Sequence, residues 1–317
     1  MSRAREIADL GGSADAGGIT GRNLVINGAM KVSQRGTSFT AQGYSLDRWY
    51  HQLSGGTSTT TQETFSLGSE VAGFSKYLKQ ATSTGNNYCG LLYKVEDVKS
   101  LPEGKATFSF YAKGTNPAGG SYTVRLARIS RVDPYSTDST PLSSTVTLTS
   151  SWQRFVYTFD VPSFSGLGTI DNTSHLYISI HQADGDTSTA AWELNLTGVQ
   201  LEVGQTATPF EHEDFGTTLR KCQRYYQSMD YYFSSGSTGS NPYYYTPLCF
   251  PITMRAAPAM TASAWGSNTG NATTYYGSTL SNGWILVGAD KTACLVRGNH
   301  TNTYNLMSGR GKFDAEL

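Results

Sequence analysis

From Leu24 to Phe210 the chain alternates apolar and polar positions with a period of two. Phe108, Phe110 and Ala112 alternate with Thr107, Ser109 and Tyr111. Phe155, Tyr157, Phe159 and Val161 do so against Arg154, Val156 and Thr158, and Leu176, Ile178 and Ile180 repeat the device. Successive strand side chains point to opposite faces, so each run predicts a strand with one apolar face. Turn-rich stretches such as residues 115–121 (TNPAGGS) and 164–174 (FSGLGTIDNTS) separate the runs. Many short strands with such turns and almost no helical period predict an all-β chain, an antiparallel sandwich or jelly roll.

The phase slips once. Trp192, Leu194 and Leu196 occupy even positions, whereas Val199, Leu201 and Val203 occupy odd ones. A one-residue slip turns an apolar face to solvent unless the strand absorbs it, so a β-bulge at Gly198 and one long bent strand are expected. After Glu213 the period changes to that of a helix. Phe215, Leu219, Cys222 and Tyr226 fall on one stripe, with Asp214 placed as N-cap, which predicts a connecting amphipathic helix over 213–229. The β pattern returns over 230–317, with the aromatic runs Tyr231-Tyr232-Phe233 and Tyr243-Tyr244-Tyr245 and alternation at Trp284, Leu286 and Leu295. So short a stretch makes a thin core for a lone monomer.

A length of 317 residues suggests about two domains. Only 15% of residues are charged, with 34 Gly and 20 Tyr, a balance that favours strands and argues against disorder. Lys+Arg and Asp+Glu are equal at 24 each, so no overall attraction to nucleic acid or to an anionic membrane is encoded. No apolar run approaches the ~20 residues of a membrane span, and the first residues lack the apolar region of a secretory signal. The expectation is a chain made and kept in a cytoplasm until assembly or lysis, with no membrane insertion. Ser2 to Leu10 could form two helical turns, followed by a Gly-rich linker to Gly21. Cys89, Cys222, Cys249 and Cys294 are far apart and form no CxxC pair, so free thiols are expected.

Catalytic constellations are absent from the sequence: there is no GxSxG, HExxH or Walker-type loop, and His51, His175, His181, His212 and His300 are scattered. Glu211 and Glu213 would share one strand face and are the only local candidates for the paired carboxylates of glycoside hydrolysis; a solvated strand end before the helix is the preferred reading. Asp184 and Asp186 flank Gly185 and are weak Ca²⁺ candidates, a plain turn being preferred. The Asp47-Arg48-Trp49 triplet reads as an ion pair shielded by an indole. No metal or other cofactor is therefore expected. Exposed aromatic rings suit sugar, because pyranose C–H faces stack on them. Tyr231, Tyr232, Tyr243, Tyr244, Tyr245, Trp265, Tyr275 and Tyr276 are the glycan-binding candidates. Burial of the same rings between subunits stays open beside that reading.

Residues 198–226, GVQLEVGQTATPFEHEDFGTTLRKCQRYY, resemble a segment that recurs in bacteriophage tail-fibre and other virion structural proteins. There it closes a carbohydrate-binding-module-like jelly roll and leads into a C-terminal domain. Residues 22–36 (RNLVINGAMKVSQRG) and 44–50 (YSLDRWY) look like the first strands of the same family. The resemblance implies a virion-attachment peptide and linker over 1–22, a jelly roll over 23–212, the connecting helix, and an oligomerising tip over 230–317. It implies a non-enzymatic short tail fibre or receptor-binding protein of the virion, a homotrimer that meets other virion proteins through 1–22 and host surface polysaccharide at the tip. The alternative is a capsid appendage, cement or tail adaptor of purely structural role; a polysaccharide depolymerase ranks below both.

Overall fold

The computed structural model describes residues 21–316 apart from 70, 85–87, 118–119, 130–141, 162, 165–169, 172, 183–189, 236–242, 264–272, 276–281 and 300–304. The chain divides into two compact units after Thr218. The expected attachment segment, residues 1–20, lies outside the described residues.

The first unit holds β1 (Ser38–Phe39), β2 (Gly43–Tyr44), β3 (Trp49–Ser54), β4 (Thr57–Thr64), β5 (Lys76–Thr84) and β6 (Tyr88–Glu96). It continues with β7 (Gly104–Thr115), β8 (Tyr122–Ile129), β9 (Leu142–Val146), β10 (Gln153–Val161), β11 (His175–Gln182) and β12 (Trp192–Val203). Sheet A has the order β1-β4-β5-β12-β7-β10 and sheet B the order β2-β3-β6-β11-β8-β9. All their pairings are antiparallel, and from β5 to β8 and again from β9 to β12 the chain passes from one sheet to the other at every connection. This is an antiparallel jelly-roll sandwich. Its core is built by the apolar faces that alternation predicts: Leu78, Phe108, Phe110, Leu194, Leu196 and Leu201 from sheet A meet Leu91, Val124, Leu126, Leu176, Ile178 and Ile180 from sheet B.

The phase slip in β12 is a bulge at Gly198. The register against β7 shifts between Thr197 and Gln200, and Gly198 has φ +60. A Cβ there would lie 2.7 Å from the Phe74 ring and 2.9 Å from Tyr111, so both the conformation and the space require glycine. Beyond the bulge the pairing of β12 with β5 has ended, and residues 23–28 lie alongside. Leu24 N donates to Leu201 O (2.9 Å), Val199 N to Gly28 O (3.0 Å), and the Asn23 amide bridges Val199 O and Leu201 N.

On the outward face of the same strand, Gln200 and Glu202 hold the chain that leaves it. Glu202 accepts from Thr208 N (3.0 Å) and Thr208 Oγ1 (2.7 Å), and Gln200 Oε1 accepts from Glu211 N (2.8 Å). Arg22 donates to Pro209 O at 3.0 Å. The sequence blocks 22–36 and 198–226 are thus two sides of one seam.

Two expectations change. Asp47 is paired not with its neighbour Arg48 but with Arg35, at 3.8 Å, and accepts from Gln34 N (2.6 Å) and Nε2 (2.7 Å). Arg48, with φ +72, instead lies over the Tyr93 ring and donates to Lys94 O. Burial raises the Asp47 carboxyl above its ordinary value, against the opposing pull of Arg35 and Gln34. The helix α1 (Phe215–Gln223) is shorter than its stripe predicted. Asp214 caps it, accepting from Thr217 N at 3.0 Å. Phe215 is 55% exposed, Leu219 is half-buried and Tyr226 already begins the next strand, so on the helix itself only Cys222 of the stripe is buried.

The second unit holds β13 (Tyr226–Ser235), β14 (Tyr243–Cys249), β15 (Ala259–Ser263), β16 (Thr273–Tyr275), β17 (Asn282–Ala289), β18 (Ala293–Asn299) and β19 (Asn305–Asp314). One sheet runs β13-β19-β15 with β16 also on β19; the other runs β14-β18-β17. Phe250, Met254, Cys294, Val296, Phe313 and Ala315 form its small core. The four cysteines are free thiols, and burial is the main cause that pushes the Cys294 thiol up to about 11.

One end of the sandwich interior is polar. His51, Ser58, Thr60, Gln80, Thr82 and Cys89 are buried there, from β3, β4, β5 and β6. Gln80 Nε2 donates to Gly90 O (3.2 Å), yet both His51 ring nitrogens, Thr60 Oγ1 and Gln80 Oε1 have no hydrogen-bond partner among the described residues. Burial lowers the His51 pKa to about 4. Its folded value lies below its unfolded value, so stability is full above pH ~6.5 and falls as pH drops toward ~4, by roughly 3 kcal/mol. Urea titrations at pH 7 and pH 4.5 are expected to show this loss, and His51→Phe to remove most of the difference between them.

Candidate functional site

Strand β11 lies at the centre of sheet B and puts Leu176, Ile178 and Ile180 into the core. By alternation His175, Tyr177, Ser179 and His181 turn to the opposite face. The strand registers carry that face across the whole sheet. Tyr44, Tyr50, Leu92, Ser179, Arg125 and Ser143 stand directly opposite one another in succession through β2, β3, β6, β11, β8 and β9. A parallel row runs Gln52, Gly90, His181, Thr123 and Thr145, and a third runs Lys94, Tyr177 and Ala127. Five inter-strand spacings give the longest row a span of about 24 Å.

The face has an apolar floor and polar margins. Leu92, Ala127 and Tyr177, with Tyr50 against them, form a cluster separate from the main core. Tyr44 and Tyr50 meet edge to face, with centroids 5.2 Å apart, and the Arg35 guanidinium lies 5.4 Å over Tyr44. Gln42 Nε2 donates to the Tyr50 hydroxyl at 3.1 Å, and Ser179 Oγ shares a 3.0 Å hydrogen bond with His181 Nδ1. Ser179 and His181 are buried, Tyr44, Tyr50, Arg125 and Thr123 are half-buried, and Ser143 and Thr145 are exposed. Gly90 admits the close approach of β11, because a Cβ there would come within 2.3 Å of the His181 Cβ. The accessible groups lie toward the two ends of the rows, aromatic rings at Tyr44 and Tyr50 and hydroxyls and a guanidinium at Thr123, Arg125, Ser143 and Thr145, and these can stack on and hydrogen-bond an extended polar chain.

None of these residues stood among the glycan-binding candidates from sequence. The signal was present in HLYISIHQ, where every residue opposite the apolar set is aromatic, hydroxylic or imidazole. What could not be read was which strands would lie beside it.

The aromatic candidates fall in the second unit. Tyr231 and Tyr232 lie in β13 opposite Gly309 and Ser308, and Tyr275 lies in β16 opposite Leu306, so their backbones flank one stretch of β19. Tyr243, Tyr244 and Tyr245 belong to β14 in the other sheet, and Tyr245 is 51% exposed. Trp265, Tyr276, Asp184 and Asp186 lie outside the described residues.

Glu211 and Glu213 do not form a pair on a strand face. Both Glu211 oxygens accept backbone N–H groups, from Gly21 and from Asn23 (2.9 Å). Glu213 faces the start of α1, accepting from Thr218 Oγ1 at 3.4 Å. His212 packs on Phe74 and Phe210, and burial, with Lys31 nearby, lowers its pKa. These groups serve the seam.

No protein-family model matches the chain, and no curated protein matches its sequence. Among solved structures, part of it is similar to the enzymatically active domain of tailspike protein 4 of bacteriophage CBA120, with 12% identity, 58% of this chain and 22% of that one covered, and a TM-score of 0.40. It is also similar to a family 11 carbohydrate-binding module of a Clostridium thermocellum cellulase (14% identity, 53% and 95% covered, TM-score 0.33). The N-terminal cellulose-binding domain of a Cellulomonas fimi β-1,4-glucanase is similar at 17% identity, with 50% and 90% covered and a TM-score of 0.31. The chain spans about a fifth of the length of the tailspike domain, 22%. Among the described residues no helix is long and apolar enough to cross a membrane.

Because Glu211 is an acceptor for two backbone donors, its removal strips both of their partner. Glu211→Ala is expected to lower stability by roughly 1–3 kcal/mol in urea denaturation.

Proposed function

We propose that this chain is a bacteriophage virion structural protein, a short tail fibre or receptor-binding protein that adheres to host surface polysaccharide without cleaving it. The observation that carries the reading is the row from Tyr44 to Ser143 across the outward face of sheet B. A sugar chain laid along it would stack on Tyr50 and Tyr44 and exchange hydrogen bonds with the half-buried Arg125 and Thr123 and the exposed Ser143. The virion part of the reading rests on the resemblance of residues 22–36 and 198–226 to tail-fibre proteins; these segments bind each other here through Asn23, Arg22 and Glu211.

In this reading residues 1–22 attach to other virion proteins, and the second unit assembles the chain as a homotrimer. The strands that bear Tyr231, Tyr232, Tyr243, Tyr244, Tyr245 and Tyr275 supply a further contact zone, either to glycan or between subunits. Weak sites repeated on one particle act together through effective concentration. Adhesion needs no cofactor.

Labelled full-length protein is expected to bind intact host cells saturably, with free surface polysaccharide competing. Tyr50→Ala should weaken that binding by about tenfold, the worth of one well-packed aromatic contact. Because the ring also packs on Leu92, Ala127 and Tyr177, the same variant should lose roughly 1–3 kcal/mol of stability, so binding is compared at a temperature where circular dichroism shows it folded. Undiminished binding by this variant would remove sheet B from the reading. No binding by the folded wild-type protein would favour a capsid appendage, cement or adaptor.

A further inference from the structure

Strand β10 closes one side of sheet A and pairs with β7 along all 9 of its residues without a register shift. Among the described residues, no other strand pairs with its outer edge and no loop makes a backbone–backbone hydrogen bond to it; the carbonyls of Gln205 and Thr208 accept only from the outward side chains of Thr158 and Arg154. Sheet edges of this kind recruit further strands, and proteins normally protect them with Pro, Lys, a bulge or short length. The strand QRFVYTFDV has none of these protections. Its outward Val156 is 47% exposed, and its core-facing Phe155 and Tyr157 are only half-buried.

The strand is complementary to itself. With Tyr157 opposite its own copy in antiparallel register, Arg154 meets Asp160, Phe155 meets Phe159 and Val156 meets Thr158. Residues directly opposite share a face, so opposite charges meet on the outer face and aromatic rings on the inner one. A slip that centres the pair on Phe155 sets Arg154 against Val156; one centred on Phe159 sets Asp160 against Thr158. Both slips lose the charge match. Within the chain the rings already form a ladder, with Tyr157 stacked 6.3 Å from Phe159 and 6.1 Å from Phe110. Arg154 also donates to Thr208 O, and Asp160 pairs with Lys105 at 2.6 Å, yet Arg154 and Asp160 both remain exposed at the edge.

We propose that two copies of this chain join edge to edge through β10, in the register centred on Tyr157, so that sheet A continues from one copy into the next. Sedimentation equilibrium of the full chain across a concentration series is expected to show a reversible doubling of the mass of whichever assembly, single chain or trimer, is present at the lowest concentrations. Arg154→Asp places carboxylates opposite each other twice in the dimer and should weaken the doubling by at least about tenfold, as should Asp160→Arg. The double variant R154D/D160R restores opposite charges and should recover most of the association. Val156→Lys, on an exposed outward position, should abolish it while leaving the circular dichroism melt intact. A wild-type protein that never doubles, a doubling indifferent to V156K, or a folded double variant no better than its parents would each overturn the proposal.

Discussion

The sandwich depends on how β12 bends. A strand of 12 residues that lies between β5 and β7 must keep one face apolar along its whole length while the sheet curves. It does so by inserting one extra residue, and only glycine fits there, since Phe74 and Tyr111 close over the position. Everything downstream follows from the restored phase. Val199 and Leu201 return to the core, and Gln200 and Glu202 face outward to hold residues 208–211. The edge of β12 freed by the bend is taken by Asn23, Leu24 and Gly28. Glu211 then secures the entering chain to the leaving one. Without the bulge, the odd residues after Gly198 would point outward and the even ones inward, burying Gln200 and Glu202 in an apolar core without partners.

The same alternation explains why sheet B offers a face and not merely a surface. A central strand buried on both sides normally reads as a continuous apolar run, as in parallel sheets. β11 is buried at every position yet apolar at only one set, so polar and aromatic groups are held on a rigid floor with their neighbours fixed by register. Rigid placement matters for adhesion because ordering loops on binding would subtract from a weak interaction.

Period-two alternation is a local property, so the strands, their inward residues and the bulge at Gly198 were legible from sequence. So was the cap at Asp214, which needs only its own turn. The candidate face was not. Tyr44, Leu92, Ser179, Arg125 and Ser143 are brought into line by pairings between distant strands, and nothing local specifies which strands adjoin. Asp47 misled for the related reason that its partner Arg35 comes from another segment, while adjacent Arg48 carries a positive φ that turns it elsewhere. Aromatic density drew attention to the second unit; at Tyr50 and Tyr177 single rings gain their significance only from what stands beside them.

The proposed edge pairing through β10 and the proposed adhesion through sheet B are geometrically compatible, and the first would strengthen the second. Antiparallel self-pairing of one edge is related by a twofold axis perpendicular to the sheet, since opposed residues share a face. Both copies therefore present the same side of sheet A to solvent and carry sheet B on the other. Their two outward faces of sheet B then look the same way. Two weak sites facing one polysaccharide surface bind with an effective concentration set by their separation, without any new contact to sugar. An edge left without Pro, Lys or bulge is a hazard in a protein that acts alone. In one that must grip a repetitive surface, the same edge supplies the second hand.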